Sequence, residues 1–305
     1  MKKIRSIFIF TLLLFFKNSF AQPFADIVSF NYQAFNSNYE TPVYGKNKTD
    51  NYVLNFFLPK EFKNGHTFLV RLNTETIHST VFSDSSYSYR LSSISLPVGI
   101  KLVTKNKKWE TILMTIPKFT SDFRDRINLY DFQLGGIFLQ QFILNNKLKI
   151  KAGLYYNREA FGDFYIPLVG VDWKISDRIN LYGILPSNYK AEVAIIKNKL
   201  YTGINLKYLT RSFRLSHSKN DDYVRYDEAQ LKLFIDCFVY KKLLVFCEIG
   251  YSIGKNPLQY TYNTKELNYF SNPIYSPTKA YPLINIGITY RVRFDLVKRE
   301  ENIPQ

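Results

Sequence analysis

A strict two-residue alternation near the C-terminus constrains the fold of this chain more than any other feature. From residue 284 to residue 296, every even position is apolar and every odd position is polar or glycine. Side chains of a β-strand point alternately to opposite faces, so the segment predicts a strand with one apolar and one polar face. Its 13 residues exceed the ~5 to 6 of a typical soluble strand and approach the length that crosses a bilayer at a tilt.

The same alternation recurs along the chain. Segments 147–156, 200–208 and 231–239 each place apolar residues in one phase and Lys, Asn or Asp in the other. Beyond residue 21 the sequence has no comparable helical period and no apolar run long enough for a transmembrane helix. Such a chain can enter a membrane only as a closed barrel, because every backbone group must be hydrogen-bonded there. We therefore predict an all-β fold, a transmembrane antiparallel up-and-down β-barrel.

The connections between these segments predict the topology. Short turns rich in Asn and Lys alternate with longer connections, as in outer-membrane barrels with tight periplasmic turns and long outer loops. Counting across them gives about fourteen strands, with twelve as the second choice, and places both termini in the periplasm. The count of fourteen includes a strand at residues 68–73 and a turn at residues 186–188, and without them it falls to twelve. The short turns are at residues 63–65, 105–108, 145–146, 176–177, 197–199 and 241–242, and the longer connections at 36–50, 76–89, 157–163, 212–224 and 255–282.

A soluble, lipocalin-like barrel is the structural alternative. It would also alternate, but it would turn its apolar face inward and need about eight strands. Eight strands would leave a large part of the 305 residues unused, so chain length favours the membrane barrel.

The N-terminus predicts export. Residues 1–21 begin with basic residues, continue through an apolar stretch, and end with small residues at the −3 and −1 positions, which is typical of a secretory signal peptide cleaved before Gln22. We expect residues 22–296 to form the barrel and residues 297–305 a short periplasmic tail. The expected location is the outer membrane of a Gram-negative bacterium, with its bilayer as the first partner.

Composition argues against several function classes. A net charge of +16 with 24 Tyr and 26 Phe would suit a nucleic-acid binder, but export argues against that partner. Two Cys cannot build a disulfide-dense scaffold or a Cys-based zinc site. The sequence predicts no metal site and no cofactor.

Short motifs in the middle of the chain carry a resemblance. They are Pro167-Leu168-Val169-Gly170, Trp173, Asp177-Arg178, Leu181-Tyr182 and Leu185-Pro186, followed by residues 248–254 and 286–290. With these motifs, the chain resembles a bacteroidete family of uncharacterised outer-membrane β-barrel proteins, a domain of unknown function. The resemblance covers nearly all of the expected mature chain and implies a barrel. It implies no known activity and supplies no catalytic residues.

The last alternating segment also contains a candidate assembly signal. Asn285, Gly287, Tyr290 and Val292 are similar to the last-strand signal read by outer-membrane barrel assembly machinery. The strand edge would dock on the insertase through backbone hydrogen bonds. The alternative is that a lipid-facing strand with a glycine fits this pattern by chance. The segment departs from the usual signal because the chain continues to residue 305 and does not stop at an aromatic residue.

The three histidines are the candidates for hydrolase chemistry, in which a His activates a hydroxyl. His66 adjoins a predicted periplasmic turn, while His78 and His217 lie in predicted outer loops. The Ser, Asn and Asp residues near His217 are ordinary loop residues without a recognisable catalytic spacing. We predict that the protein is not an enzyme, with a loop-based barrel hydrolase as a remote alternative.

The two cysteines share one predicted hairpin. With a three-residue turn at residues 241–243, Cys237 faces Cys247 on the apolar side, and Asp236 faces Glu248 on the polar side. A cross-strand disulfide is one interpretation of the cysteines, and two unbonded small apolar residues are the other. The facing carboxylates favour a structural ion network with the arginines of the following strand rather than an acid/base pair.

Polar-phase residues define the predicted lumen. Basic residues outnumber acidic ones there, so a water-filled lumen would favour anions. The lumen-lining candidates are Lys149, Lys151, Lys207, Lys232, Asp236, Glu248, Arg291 and Arg293. Aromatic residues of the longest outer loop either bind a sugar or a protein or belong to the interfacial girdle; they are Tyr260, Tyr262, Tyr269, Phe270 and Tyr275.

The predicted function is a pore or transporter for small solutes, with a preference for anions. The alternative is a closed structural or adhesive barrel that acts through its outer loops.

Overall fold

The computed structural model describes residues 23–40, 45–82, 86–216, 222–260 and 278–294, without the side chains of residues 87 and 254–260. The expected signal peptide and periplasmic tail lie outside these residues. No helix in the described ranges is long and apolar enough to cross a membrane. The strand segments are β1 Phe24–Asn38, β2 Lys46–Glu61, β3 Thr67–Phe82, β4 Ser86–Ser95, β5 Val98–Val103, β6 Trp109–Ser121, β7 Phe132–Asn145, β8 Leu148–Glu159, β9 Gly162–Lys174, β10 Ile179–Leu185, β11 Asn188–Ile196, β12 Leu200–Arg214, β13 Tyr223–Tyr240, β14 Leu243–Tyr260 and β15 Tyr281–Arg293.

These segments form a closed antiparallel barrel with fourteen strand positions. β4 and β5 share one position, since both pair with β3 on one side and β6 on the other. The break between them falls at Leu96-Pro97, where proline has no N–H to donate to the ladder. β1 pairs with both β2 and β15 and thereby closes the ring. The predicted fourteen-strand barrel is confirmed, including the strand at residues 68–73 and the turn at Pro186.

One end of the barrel carries all six of the predicted short turns. At the other end, two connections are much shorter than predicted: only residues 83–85 separate β3 from β4, and only Ala160-Phe161 separates β8 from β9. The prediction of longer loops at 76–89 and 157–163 was wrong because the strands continue there while their outward side chains become polar. Thr80 and Ser88, for example, are strand partners whose hydroxyls lie 2.9 Å apart.

The polarity of the wall is that of a membrane barrel. On β13 the outward Leu231 and Leu233 are 53% and 58% exposed, whereas the inward Lys232 and Asp236 are 2% and 1% exposed. The lipocalin-like alternative requires the opposite arrangement. An apolar surface this continuous is not stable in water, so the outer face of the wall is a lipid-facing surface.

Aromatic side chains form two belts on this outer face. At the short-turn end, the rings of Trp109 and Phe142 lie 4.6 Å apart. At the other end, those of Tyr156 and Tyr165 lie 5.0 Å apart. Tyr156 is eight residues along β8 from Leu148, the partner of Trp173, which corresponds to about 26 Å of strand at ~3.3 Å per residue. A tilt of roughly 40° reduces this span to about 20 Å, close to the ~25 Å apolar band of outer-membrane barrels.

The β13–β14 hairpin corrects the predicted cysteine pairing. Its turn has two residues, Lys241-Lys242, and Lys241 adopts a positive φ of 38°. The pairing register shifts between Phe238 and Tyr240, just before the turn. Because of the tighter turn and the bulge, Cys237 pairs with Val245, Cys247 pairs with Ile235, and both thiols are free. The predicted facing of Asp236 and Glu248 is wrong for the same reason, since their partners are Phe246 and Phe234.

We therefore expect two reactive thiols in the protein purified from an oxidising compartment. Alkylation with iodoacetamide in denaturant without reductant should add two labels, because neither Cys237 nor Cys247 has a sulfur partner. Intact mass spectrometry counts the labels, with a reduced sample as the control. A mass that shows no labelling until reductant is added would contradict the register.

Candidate functional site: the barrel interior

The interior of the barrel is filled with ion pairs. Seven of the eight predicted lumen residues are at most 6% exposed and each has an oppositely charged partner. Their charges are therefore neutralised within the protein and are not free to attract solutes. The pairs are Lys149–Glu110 and Lys151–Asp172, each at 2.6 Å; Lys232–Glu248; Arg291 with Asp26 and Asp236, each at 2.6 Å; and Arg293–Glu192 at 2.9 Å.

The pair formed by Arg293 and Glu192 joins strands that are four positions apart around the wall. Two guanidinium nitrogens of Arg293 donate to the two carboxylate oxygens, at 2.9 and 3.2 Å. Asn180 donates a further hydrogen bond to Glu192, and the guanidinium lies 4.0 Å from the centre of the Tyr201 ring. This bidentate, ring-stacked geometry favours arginine over lysine at this position.

Glu248 is the centre of a second cluster. Its carboxylate pairs with Lys232 and Lys190 and accepts hydrogen bonds from Asn205 at 3.0 Å and Asn285 at 2.9 Å. These contacts come from β11, β12, β13 and β15, so one carboxylate on β14 ties together five strands. Asn285, a residue of the candidate assembly motif, thus has a structural role inside the wall.

Lys207 is the exception among the predicted lumen residues. It faces the interior from β12 but is only half-buried, and within the described part of the chain it makes no ion pair. Near Lys207, the inward face of β1–β4 is polar and partly exposed, and toward the short turns it includes the Arg71 guanidinium, 4.3 Å from the centre of the Phe57 ring. Asn55 donates to Ser29 at 3.1 Å there, and Asn73 to Ser95 at 3.2 Å. We call this half-exposed region, with Lys207, the vestibule.

The outer half of the interior is closed by contact between opposite walls. Arg214 at the end of β12 forms a parallel bridge with Ser121 at the end of β6, six positions away around the ring. The N–H of Asp122 donates to the carbonyl of Arg214 at 3.0 Å, and the Asp122 carboxylate accepts from the N–H of Ser216 at 2.9 Å. The main chains of β6 and β12 therefore meet across the barrel at this level.

Side chains extend this closure inward, and we call the whole contact the outer seal. Arg211 of β12 pairs with Glu75 of β3 and, at 2.8 Å, with Glu228 of β13. The hydroxyl of Tyr226 lies 3.3 Å from that of Tyr89 on β4. An apolar cluster surrounds these contacts and comprises Ile77, Leu91, Phe213, Leu215, Val224 and Tyr226.

Besides Asp236 and Glu248, further acids neutralise the interior, and sequence reasoning did not single them out. Glu110 and Glu192 lie on the inward phase of β6 and β11, so the alternation of those strands could have identified them as interior residues. The pairing of Glu75 and Asp26 could not be predicted from the sequence, because their arginines are 136 and 265 residues away. Counting charges by phase therefore overestimated the attraction of the lumen for anions.

The remaining candidates do not assemble into a site. His66 accepts a hydrogen bond from the N–H of Val103 on Nδ1, and His78 packs edge-on against Tyr52. His217 and the loop residues Tyr262, Tyr269, Phe270 and Tyr275 lie outside the described residues, and Tyr260 is the last residue of β14. Within the described ranges, no group of three or more His, Cys, Asp or Glu could hold a metal ion.

Comparisons with known proteins identify no family: no family model and no curated protein matches the chain. Similar solved structures include an outer-membrane channel from Pseudomonas putida F1, which is 10% identical, with 89% of this chain and 96% of that chain covered and a TM-score of 0.43. A deletion mutant of the TodX monoaromatic hydrocarbon channel is 9% identical, with 88% and 91% covered and a TM-score of 0.46. The translocator domain of the autotransporter NalP from Neisseria meningitidis is 11% identical, with 95% of each chain covered and a TM-score of 0.37. Similarities this distant define neither the cargo nor the family of this protein.

We expect the buried pair of Arg293 and Glu192 to matter for stability. Arg293→Met leaves a buried carboxylate without its cation and should lower the free energy of unfolding by about 3 to 5 kcal/mol. The double variant Glu192→Gln/Arg293→Met should recover most of this loss. Urea unfolding of the refolded barrel, followed by tryptophan fluorescence, measures the effect. The control is Lys174→Met, which breaks an exposed pair with Asp177; an equal loss there would contradict the prediction.

Gly287 can be explained either as part of the candidate assembly signal or as a position where a side chain does not fit. A variant at this position distinguishes the two explanations. A Cβ at this position would lie 2.5 Å from the Phe246 ring and 2.4 Å from the Phe30 carbonyl. Gly287→Val should therefore reduce the yield of folded barrel even in detergent refolding without any cellular machinery. Tyr290→Ala, which changes the motif without that clash, serves as the control and should refold. Normal refolding of Gly287→Val would show that its glycine is not needed for packing.

Proposed function

We propose that this protein is an outer-membrane β-barrel that is closed at rest. The lipid-facing outer surface with its two aromatic belts supports the membrane placement, and the signal peptide expected at residues 1–21 supports export to the outer membrane. The outer seal supports the proposal that the barrel is closed at rest, because the main chains of β6 and β12 meet across the interior. We further propose, from the motifs between residues 164 and 195, that the chain belongs to the bacteroidete family it resembles, and that barrel assembly machinery inserts it.

A permanently open porin would need a water-filled path along the barrel axis. The inward side chains at the level of the seal argue against such a path: Phe213 is 1% exposed, Tyr226 and Glu228 are fully buried, and Gln230 is 2% exposed. Solute passage would require the end of β12 to separate from β6. The resting barrel therefore acts as a closed unit.

A gated pore for small anionic solutes is the second candidate, and the vestibule favours it. Lys207 is a cation without an ion pair among the described residues, and it faces a half-exposed polar region below the seal. An anion that reached the vestibule would find the positive charge of Lys207 there, with Arg71 on the β3 wall toward the short turns. Opening of the seal would then give an anion-preferring path.

Single-channel recording in a planar bilayer under a salt gradient tests both candidates. Wild-type protein should show no steady conductance. The double variant Asp122→Ala/Arg211→Ala should produce steady steps, because it removes the carboxylate that holds Ser216 against the end of β6 and the Arg211 side chain that pairs with Glu75 across the barrel. Adding Lys207→Gln to this variant should reduce its preference for anions.

The control is Tyr156→Ala, which changes an outward residue of the belt and should stay silent. Folding of each variant is checked by its heat-dependent migration in gel electrophoresis. Steady steps from the wild-type barrel would overturn the proposal of a barrel closed at rest. A folded but silent double variant would eliminate the gated pore and leave the closed structural barrel.

A further inference from the structure

The outer face of the wall carries a groove of about 900 Å³. Outward-facing side chains of six neighbouring strands, from β12 through β15 to β1 and β2, form most of its lining. The volume lies within the roughly 300 to 1,000 Å³ of small-molecule sites. The apolar residues used below are Ala34, Ile204, Leu233, Ile249 and Ile284.

The hollow exists because a small residue lies between larger ones. Ala34 of β1 is in register with Ile284 of β15 on one side and Asp50 of β2 on the other. On the β13–β14 side, Leu233 and Ile249 are strand partners that are 58% and 55% exposed. The groove is thus bounded by projecting aliphatic side chains, and at Ala34 its floor carries only a methyl group.

Polarity changes along the groove. Toward the outer end of the barrel, the hydroxyl of Tyr32 donates to the Asp50 carboxylate at 2.5 Å. Lys48, also in the lining, is exposed, and Asp50 is in register with His78. The groove therefore runs from the apolar band to the polar rim, past the tyrosines that mark the interface.

We propose that this groove binds one phosphate-bearing membrane lipid. Its acyl chain lies over Ala34 beside Ile284, and its phosphate lies beside the Lys48 ammonium. An apolar hollow in a lipid-facing wall is filled by hydrocarbon, and a cation at the interface attracts a lipid phosphate. The amphiphilic shape of such a lipid matches the change from aliphatic to charged lining within one groove.

A protein segment fits this groove less well. The strands that form it are hydrogen-bonded on both sides within the closed wall, so no strand edge is available for an added strand. The mixed charge at the polar end, Lys48 with Asp50, suits the phosphate and ammonium of phosphatidylethanolamine. The inference rests on the membrane placement proposed above.

Native mass spectrometry of the full barrel, released from detergent after titration with palmitoyl-oleoyl phosphatidylethanolamine, tests the inference. We expect one saturable lipid adduct. Ala34→Trp fills the floor of the groove and should weaken this adduct roughly tenfold or more. Ala152→Trp is the matched control, since Ala152 is an exposed outward residue of β8 on another part of the wall; it should leave the adduct unchanged.

A second variant separates the two ends of the lipid. Lys48→Gln should weaken phosphatidylethanolamine binding about fivefold, as expected for one cation at a membrane surface, and leave binding of a diacylglycerol with the same chains unchanged. Absence of a saturable adduct would overturn the inference, as would equal loss in the two Trp variants. A protein dimer that disappears in Ala34→Trp would assign the groove to a second copy and overturn it too. Membrane fractionation of cells separates these failures from a failure of the membrane placement, which would leave the folded protein in the soluble fraction.

Discussion

Closure of the backbone hydrogen-bond ring is the constraint on which the rest of this structure depends. A strand in hydrocarbon has no water to satisfy its N–H and C=O groups, so an unpaired edge is strongly unfavourable. The pairing of β1 with β15, from Phe24 opposite Arg293 to Phe35 opposite Leu283, removes both edges at once. Once the ring is closed in lipid, apolar side chains must face outward. The alternate positions then point into a space that only other side chains or water can fill.

In this barrel, side chains fill most of that space, and their charges must be paired because they are buried. A buried ion pair adds little net stability compared with an apolar pair of the same size, but separating its partners costs several kcal/mol. The pairs that matter most here join strands that are not neighbours, such as β11 with β15 and β3 with β12. Any register that moved Glu192 away from Arg293 would leave two buried charges without partners. The ion pairs thus disfavour alternative registers more than they deepen the native minimum.

Features set by local periodicity were predictable from the sequence, and features set by distant contacts were not. Alternation identified the barrel, its fourteen strands and the short turns, because each depends on residues close together in the chain. The β13–β14 register was missed by two residues, since a positive φ at Lys241 and a bulge near Val239 leave no trace in hydrophobic pattern. The structure places Lys149, Lys151, Lys232, Asp236, Glu248, Arg291 and Arg293 in the barrel interior. Their pairing was not foreseen, because a charge pattern by phase does not reveal which strands meet across the ring.

The ion pairs of the interior explain why the net positive charge of the chain does not produce a positive lumen. Selectivity by lumen charge presumes that inward charges face water, and here Arg291 and Arg293 face carboxylates and aromatic rings instead. The two ends of the interior differ: contacts between opposite walls close the outer half, while the half near the short turns holds the buried ion pairs of β6 to β15. Partly exposed polar side chains remain on the β1–β4 side, around Lys207. In this barrel, the residues that hold the walls together at the outer end are different from the residues that set the charge of the remaining polar region. In the proposed gated pore, the contacts of Asp122 and Arg211 hold the path closed, and Lys207 is a cation that an anion would meet along it.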